Sequence, residues 1–123
     1  MTSLTYDEIF EAAIKILLFI DRGITVHFSK DDVRIKFPTT RKLSEYLKIP
    51  HYYVLPYFAT MEKEDFITRV ERVGIFTTKQ GSKKLIGMMV AKYREELEAI
   101  FGKALFEDIQ KQVMAEAQKQ KQP

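Results

Sequence analysis

A chain of 123 residues that is 46% hydrophobic and 30% charged has apolar material for one packed core and too much of it for a disordered chain. Its formal net charge is only +3, and it has no cysteine, which excludes disulfides, thiolate chemistry, thiol-based redox sensing and Cys-based zinc sites. Asp7, Glu8 and Glu11 stand where a signal peptide carries its basic segment, and the longest apolar stretch, residues 12–20, contains Lys15 and is too short to span a bilayer. These features lead us to expect a cytoplasmic protein with no membrane partner.

The first predicted element is a helix over residues 5–22. Thr5 followed by Glu8 is a capping box, and Gly23 is a natural stop. Glu8, Glu11, Lys15 and Arg22 share a polar face, whereas Ile9, Phe10, Ala13, Ile14, Ile16, Leu17, Leu18 and Ile20 make an apolar face wider than one neighbour needs. Such a helix is central, touching the domain core on one side and something else on the other. Residues 24–28 and 33–37 then alternate strictly, Ile24, Val26 and Phe28 matching Val33, Ile35 and Phe37 around a polar turn, which is a β-hairpin signal. Thr25, His27, Arg34 and Lys36 face outward, and Pro38 closes the strand.

Thr39 or Thr40 caps a short helix over 41–47, with Leu43, Tyr46 and Leu47 on one side. Ile49-Pro50 makes a turn, and the inward stripe of the next helix is Val54, Phe58 and Met61. Neither helix is long enough to be stable alone, and two joined by a tight turn form a helix-turn-helix. Pro56 predicts that the second helix bends or begins late. Residues 66–70 and 75–77 are β-prone with 71–74 between them, a short hairpin that carries Arg69 and Arg72 near its tip.

From Thr78 to about Ala117 the pattern is helical. Leu85, Met89, Tyr93, Leu97, Ile100 or Phe101, Leu105, Ile109 and Val113 recur every three or four residues, and Gly102 is a place to bend or break. This stripe is too long for a small domain to cover, so a second copy of the chain is the expected partner; the alternative is a helix folding back on the first within one monomer. The expected interface joins Ile9, Ile16 and Ile20 to Met89, Tyr93, Leu97, Ile100, Leu105 and Ile109. The resulting division is a domain at 1–84, a dimerisation helix or helices at 85–118 and a disordered tail at 119–123.

Charge is unevenly spread. Residues 36–84 hold seven Lys and three Arg against five acidic residues, a local excess of +5, and the rest of the chain holds 10 basic and 12 acidic residues. The excess lies on the helix pair and the β-prone hairpin after it, which suits a polyanion.

Three segments stand at telling separations: Pro38-Thr39-Thr40-Arg41-Lys42-Leu43-Ser44-Glu45-Tyr46-Leu47-Lys48-Ile49, then Val54-Leu55 through Met61-Glu62-Lys63-Glu64-Asp65-Phe66-Ile67, then Ile75-Phe76-Thr77-Thr78-Lys79-Gln80-Gly81. Over about residues 36–90 the chain resembles the winged helix-turn-helix transcription regulators, broadly of the PadR-like and MarR-like kind. The resemblance implies a mainly α fold with a small β component: a winged helix-turn-helix with an extra N-terminal β-hairpin and a long C-terminal dimerisation helix. It implies a homodimer that binds double-stranded DNA sequence-specifically, regulates transcription and sits on the nucleoid when bound. Asp65 and Pro50 depart from the pattern, standing where glycine and serine are common. A small-molecule effector is compatible with the wide apolar face of the first helix.

The DNA contacts expected are Thr40, Arg41 and Lys42 at the start of one helix, His51, Tyr52, Tyr53, Tyr57, Thr60 and Lys63 on the next, and Arg69 and Arg72 on the wing. The second helix offers no Arg or Lys before Lys63, so guanine readout is poor and A·T-leaning, shape-driven binding is expected. The same tyrosine-rich, charge-poor face also suits a protein-interaction or assembly module, and the same fold serves plasmid or viral replication and partition. No catalytic constellation stands out: His27 and His51 lie on different elements without a carboxylate at metal spacing, and no phosphate loop or nucleophile elbow is present. No enzyme activity, metal or cofactor is expected.

Overall fold

The structure, a computed structural model, describes residues 4–29 and 32–121. Helix α1 spans Tyr6–Lys15, and its capping box is formed, Glu8 N–H donating to Thr5 Oγ1 at 3.1 Å and Thr5 N–H to Glu8 Oε1 at 3.0 Å. The chain continues as a π-helical segment, Ile16–Ile20, and turns at Arg22, whose φ is +53°. The predicted helix over 5–22 is therefore two unlike helical pieces. Its apolar girth is nearly all used, since Ile9, Phe10, Ala12, Ala13, Ile14, Ile16, Leu17 and Leu18 are buried and only Phe19 and Ile20 remain exposed.

The strands are β1 Val26–Ser29, β2 Asp32–Phe37, β3 Ile67–Val70 and β4 Gly74–Thr77. They form one four-stranded antiparallel sheet in the order β1-β2-β4-β3. In the first hairpin Val26 pairs with Ile35 and Phe28 with Val33, as the alternation predicts. Val33, Ile35 and Phe37 point into the core. Two helices follow β2: α2, Thr40–Leu47, and α3, His51–Lys63. A run of edge-on aromatic contacts links Phe66, Phe10, Phe37 and Phe58, with centroids 6.0, 5.4 and 5.8 Å apart, and so joins α1, β2 and α3.

Helix α4, Lys79–Lys92, is fastened to the sheet by buried hydroxyls. Thr77 Oγ1 accepts from Ile35 N–H at 2.9 Å and lies 2.6 Å from Ser82 Oγ, which donates to the Val33 carbonyl at 2.5 Å. Thr78 caps the helix by accepting from Gly81 N–H at 3.1 Å, and its own hydroxyl donates to the Asp65 carbonyl. Gly81 is packed so tightly that a Cβ there would stand 1.8 Å from the Phe66 carbonyl oxygen.

The long C-terminal helical stretch is divided at Gly102, the place expected to bend or break, and also at Tyr93, which the stripe does not mark. After α4 the chain breaks at Tyr93 and at Gly102, giving α5, Arg94–Phe101, and α6, Lys103–Lys121. Gly102 has φ +81°, which suits glycine. Helix α6 returns against α4, α5 and β2, so Leu97, Phe106, Ile109 and Val113 are buried by their own chain. Much of the expected dimer interface is thereby withdrawn. Ile9, Ile16, Met89, Leu97 and Ile109 lie in the core of one chain, Tyr93 and Ile100 are half-buried, and Ile20 and Leu105 are exposed. The physical reason is that a broken stripe can fold onto itself, and each large side chain so covered contributes about 1.5–3 kcal/mol without a partner. Of the expected tail, residues 119–121 belong to α6 and 122–123 lie outside the described residues. Among the described residues no helix is long and apolar enough to cross a membrane.

Candidate nucleic-acid interface

Helices α2 and α3 are joined by a turn in which Lys48 adopts φ +58°. Ile49 N–H donates to the Ser44 carbonyl at 3.1 Å and Lys48 N–H to the Glu45 carbonyl at 3.3 Å, which satisfies the last carbonyls of α2. The end of α3 repeats the device: Phe66 N–H donates to the Met61 carbonyl at 2.9 Å, Asp65 N–H to the Glu62 carbonyl at 3.1 Å, and Asp65 has φ +67°. Aspartate thus occupies the left-handed position where glycine is common, a conformation its short polar side chain tolerates. Pro50 is the N-cap of α3, and the helix runs from His51 through Pro56 to Lys63, so it does not begin late. Pro56 is exposed, so its ring faces away from the core.

The fully buried side chains Val54, Phe58 and Met61 anchor α3 to the core. On the opposite side Tyr52, Pro56, Ala59, Thr60 and Lys63 are all exposed. Tyr52 is 66% exposed and stacks against Tyr53, with ring centroids 4.7 Å apart. The Thr60 hydroxyl donates back to the Pro56 carbonyl at 3.0 Å, so its proton is already committed to the backbone.

The two ends of α3 are tied to the neighbouring elements. At its start, His51 Nε2 lies 2.7 Å from Thr40 Oγ1 at the start of α2. At its end, Glu62 forms an ion pair of 3.5 Å with Arg69 of β3. Thr40, His51, Tyr52, Tyr53, Thr60, Lys63 and Arg69 are thus gathered along one helix and its two flanks. Arg72 sits in the β3–β4 turn with φ +66° and is exposed. Arg41 is exposed too, and among the described residues Arg41, Lys63 and Arg72 form no ion pair. Lys42 is turned toward Asp21, with Nζ 3.2 Å from its carboxylate.

Tyr57 is set apart from the rest. It is half-buried, and its hydroxyl accepts from Leu4 N–H at 3.1 Å, because the N-terminal segment lies along that flank of α3. Nearby, partial burial and then the Glu64 carboxylate push the Tyr6 hydroxyl pKa up. Two exposed residues of α3, Leu55 and Ala59, were not among those expected; an apolar residue in a helix reads as core, and only its angle relative to Val54, Phe58 and Met61 reveals otherwise. Glu62, Glu64 and Asp65 place negative charge at the far end of the same helix.

A second concave region lies on the other side of α2. Glu11 and Lys15 of α1, Tyr46 of α2 and Met88 and Lys92 of α4 line a cleft of about 520 Å³. Glu11 of this cleft accepts the Tyr93 hydroxyl at Oε1, 2.6 Å away. The walls of this cleft carry charges of both signs. Among the described residues no group of three His, Asp or Glu is placed to hold a metal ion. Comparison with family models, curated proteins and solved structures finds no match for the chain.

Proposed function

We propose that this chain is a winged helix-turn-helix protein that binds double-stranded DNA, with α3 as the recognition helix and the β3–β4 hairpin as the wing, and that it regulates transcription. The observation that carries the reading is the placement of α3: its outward face is free, and it is linked at one end to α2 and at the other to β3. A protruding helix flanked by Arg41 on one side and by Arg69 and Arg72 on the other matches what a major groove and its bordering phosphates require. The pairing of β4 between β2 and β3 supports the winged-helix assignment, because it packs the wing against the strand that precedes the helix pair. The reading includes a homodimer that presents two recognition helices to successive grooves; Ile20 and Leu105 are exposed apolar residues available to it.

The test is a fluorescence-anisotropy titration of a mixed-sequence duplex of about 30 base pairs over a salt series. DNA binding predicts an affinity that falls steeply with salt, by a slope of about 0.9 per phosphate contact. No binding at low salt overturns the reading. One observation favours a second reading, a protein-interaction module: Tyr52, Tyr53 and Leu55 are exposed together on a helix that carries Glu62 in its last turn and is capped by Glu64. That reading predicts a partner seated on this face and no salt-dependent DNA affinity.

A further inference from the structure

The outward face of α3 has an unusual chemistry for a helix that enters a groove. Guanine is read by Arg or Lys and adenine by Asn or Gln, through paired hydrogen bonds. None of these stands on the exposed face before Lys63, in the last turn. What the face does present is carbon. The Tyr52 ring is two-thirds exposed and braced by Tyr53, one turn on comes Pro56, and a second turn on come Ala59 and Thr60. Because the Thr60 hydroxyl donates to the Pro56 carbonyl, it offers outside partners no proton, only an acceptor oxygen and its methyl.

A base pair offers one apolar group in the major groove, the C5-methyl of thymine. From this match we infer that α3 selects DNA through thymine methyls, with Tyr52, Pro56, Ala59 and Thr60 as the specificity-determining residues. The inference rests on the DNA-binding reading and adds to it the feature that is recognised. Burying one methyl is worth about 0.8 kcal/mol, which is about fourfold in affinity, so two methyls covered by the face amount to about fifteenfold. Affinity itself comes from the cations on the flanks, Arg41, Arg69 and Arg72, which meet phosphate and carry no base preference.

The experiment compares two duplexes of identical A·T sequence, one with thymine and one with uracil in its place, which removes the C5-methyl and nothing else from the groove. Both are titrated at one low salt concentration with the full chain and with the Tyr52→Ala variant, whose altered side chain is exposed. The expected result is binding of the thymine duplex about fifteenfold tighter than the uracil duplex, with that ratio falling toward one in Tyr52→Ala. Equal, salt-sensitive binding of both duplexes by the unaltered chain overturns the thymine inference and leaves DNA binding standing. A ratio that survives Tyr52→Ala unchanged also overturns the assignment to this face. No salt-sensitive affinity for either duplex overturns both readings.

Discussion

The hydroxyl of Tyr93 donates to Glu11 at 2.6 Å, tying the middle of α1 to the residue at which the C-terminal region first turns. The carboxylate of Glu11 is held below its ordinary range, chiefly by this bond, against the opposing effect of its burial and with help from Lys92. The phenol is pushed up to about 12, first by the same bond and then by burial. Removing the hydroxyl in Tyr93→Phe should cost about 1 kcal/mol in urea unfolding at neutral pH. The sign follows from linkage. The depressed Glu11 pKa contributes stability above its unfolded value of about 4.3, lost as pH falls through the lower folded value. The raised Tyr93 pKa contributes below about 10, lost as pH rises through the folded value near 12. The gap between the native chain and Tyr93→Phe should be widest between about pH 5 and pH 9 and narrow on both sides.

Thr77 and Ser82 form a buried polar pair that serves two strands, β2 and β4, and α4 together. Thr77→Val or Ser82→Ala leaves a buried partner unsatisfied and should each cost about 1–3 kcal/mol. The double substitution should cost less than the sum, because it removes both members of one network. Denaturant unfolding of the native chain, both single variants and the double variant checks this.

Two glycines in α4 should respond in opposite senses. Gly81→Ala drives a methyl into the Phe66 backbone carbonyl and should lower stability by at least about 1–3 kcal/mol. At Gly87 a Cβ meets nothing within 4 Å, so Gly87→Ala should stabilise by about 0.5–1 kcal/mol through helix propensity. Thermal unfolding under one buffer condition separates them.

The folded-back C-terminal region predicts that Phe106→Ala costs about 3–5 kcal/mol, because its ring is fully buried within one chain. Ile20→Glu alters a side chain that is 61% exposed and should leave the unfolding free energy within about 0.5 kcal/mol of the native chain. Gel filtration of the same variant should show a smaller particle, as a homodimer that uses Ile20 requires.

Under the proposed DNA-binding function, replacing Arg69 and Arg72 together by alanine should weaken binding evenly across sequences and lower the salt slope by about 1.8, two phosphate contacts' worth. The Arg69 pair with Glu62 is more than half exposed on the arginine side, so its loss should barely move stability.

Local signals are readable from the chain itself. Thr5 and Glu8 stand at capping-box spacing and make both bonds; the alternation of 24–28 and 33–37 matches the observed register; Val54, Phe58 and Met61 bury as their spacing requires. Long-range outcomes are not readable in the same way. The apolar stripe continues through Tyr93 without interruption, so nothing in its period marks the break there, which is held by a hydroxyl bond to a residue 82 positions away. The same limit applies to the site. Periodicity cannot tell Tyr53 from Tyr57, yet one lies open and the other accepts from Leu4 N–H.

Val54, Phe58 and Met61 supply the buried anchor of α3, with ties at its ends through His51 and Glu62, and the side chains opposite that anchor are exposed. The helix is therefore a cassette. Positions 52, 56, 59, 60 and 63 should be open to joint randomisation with most members of the library still folding, so this face can drift, be selected or be rewritten without renegotiating the core. A scaffold built this way separates change on one helix face from the maintenance of the fold.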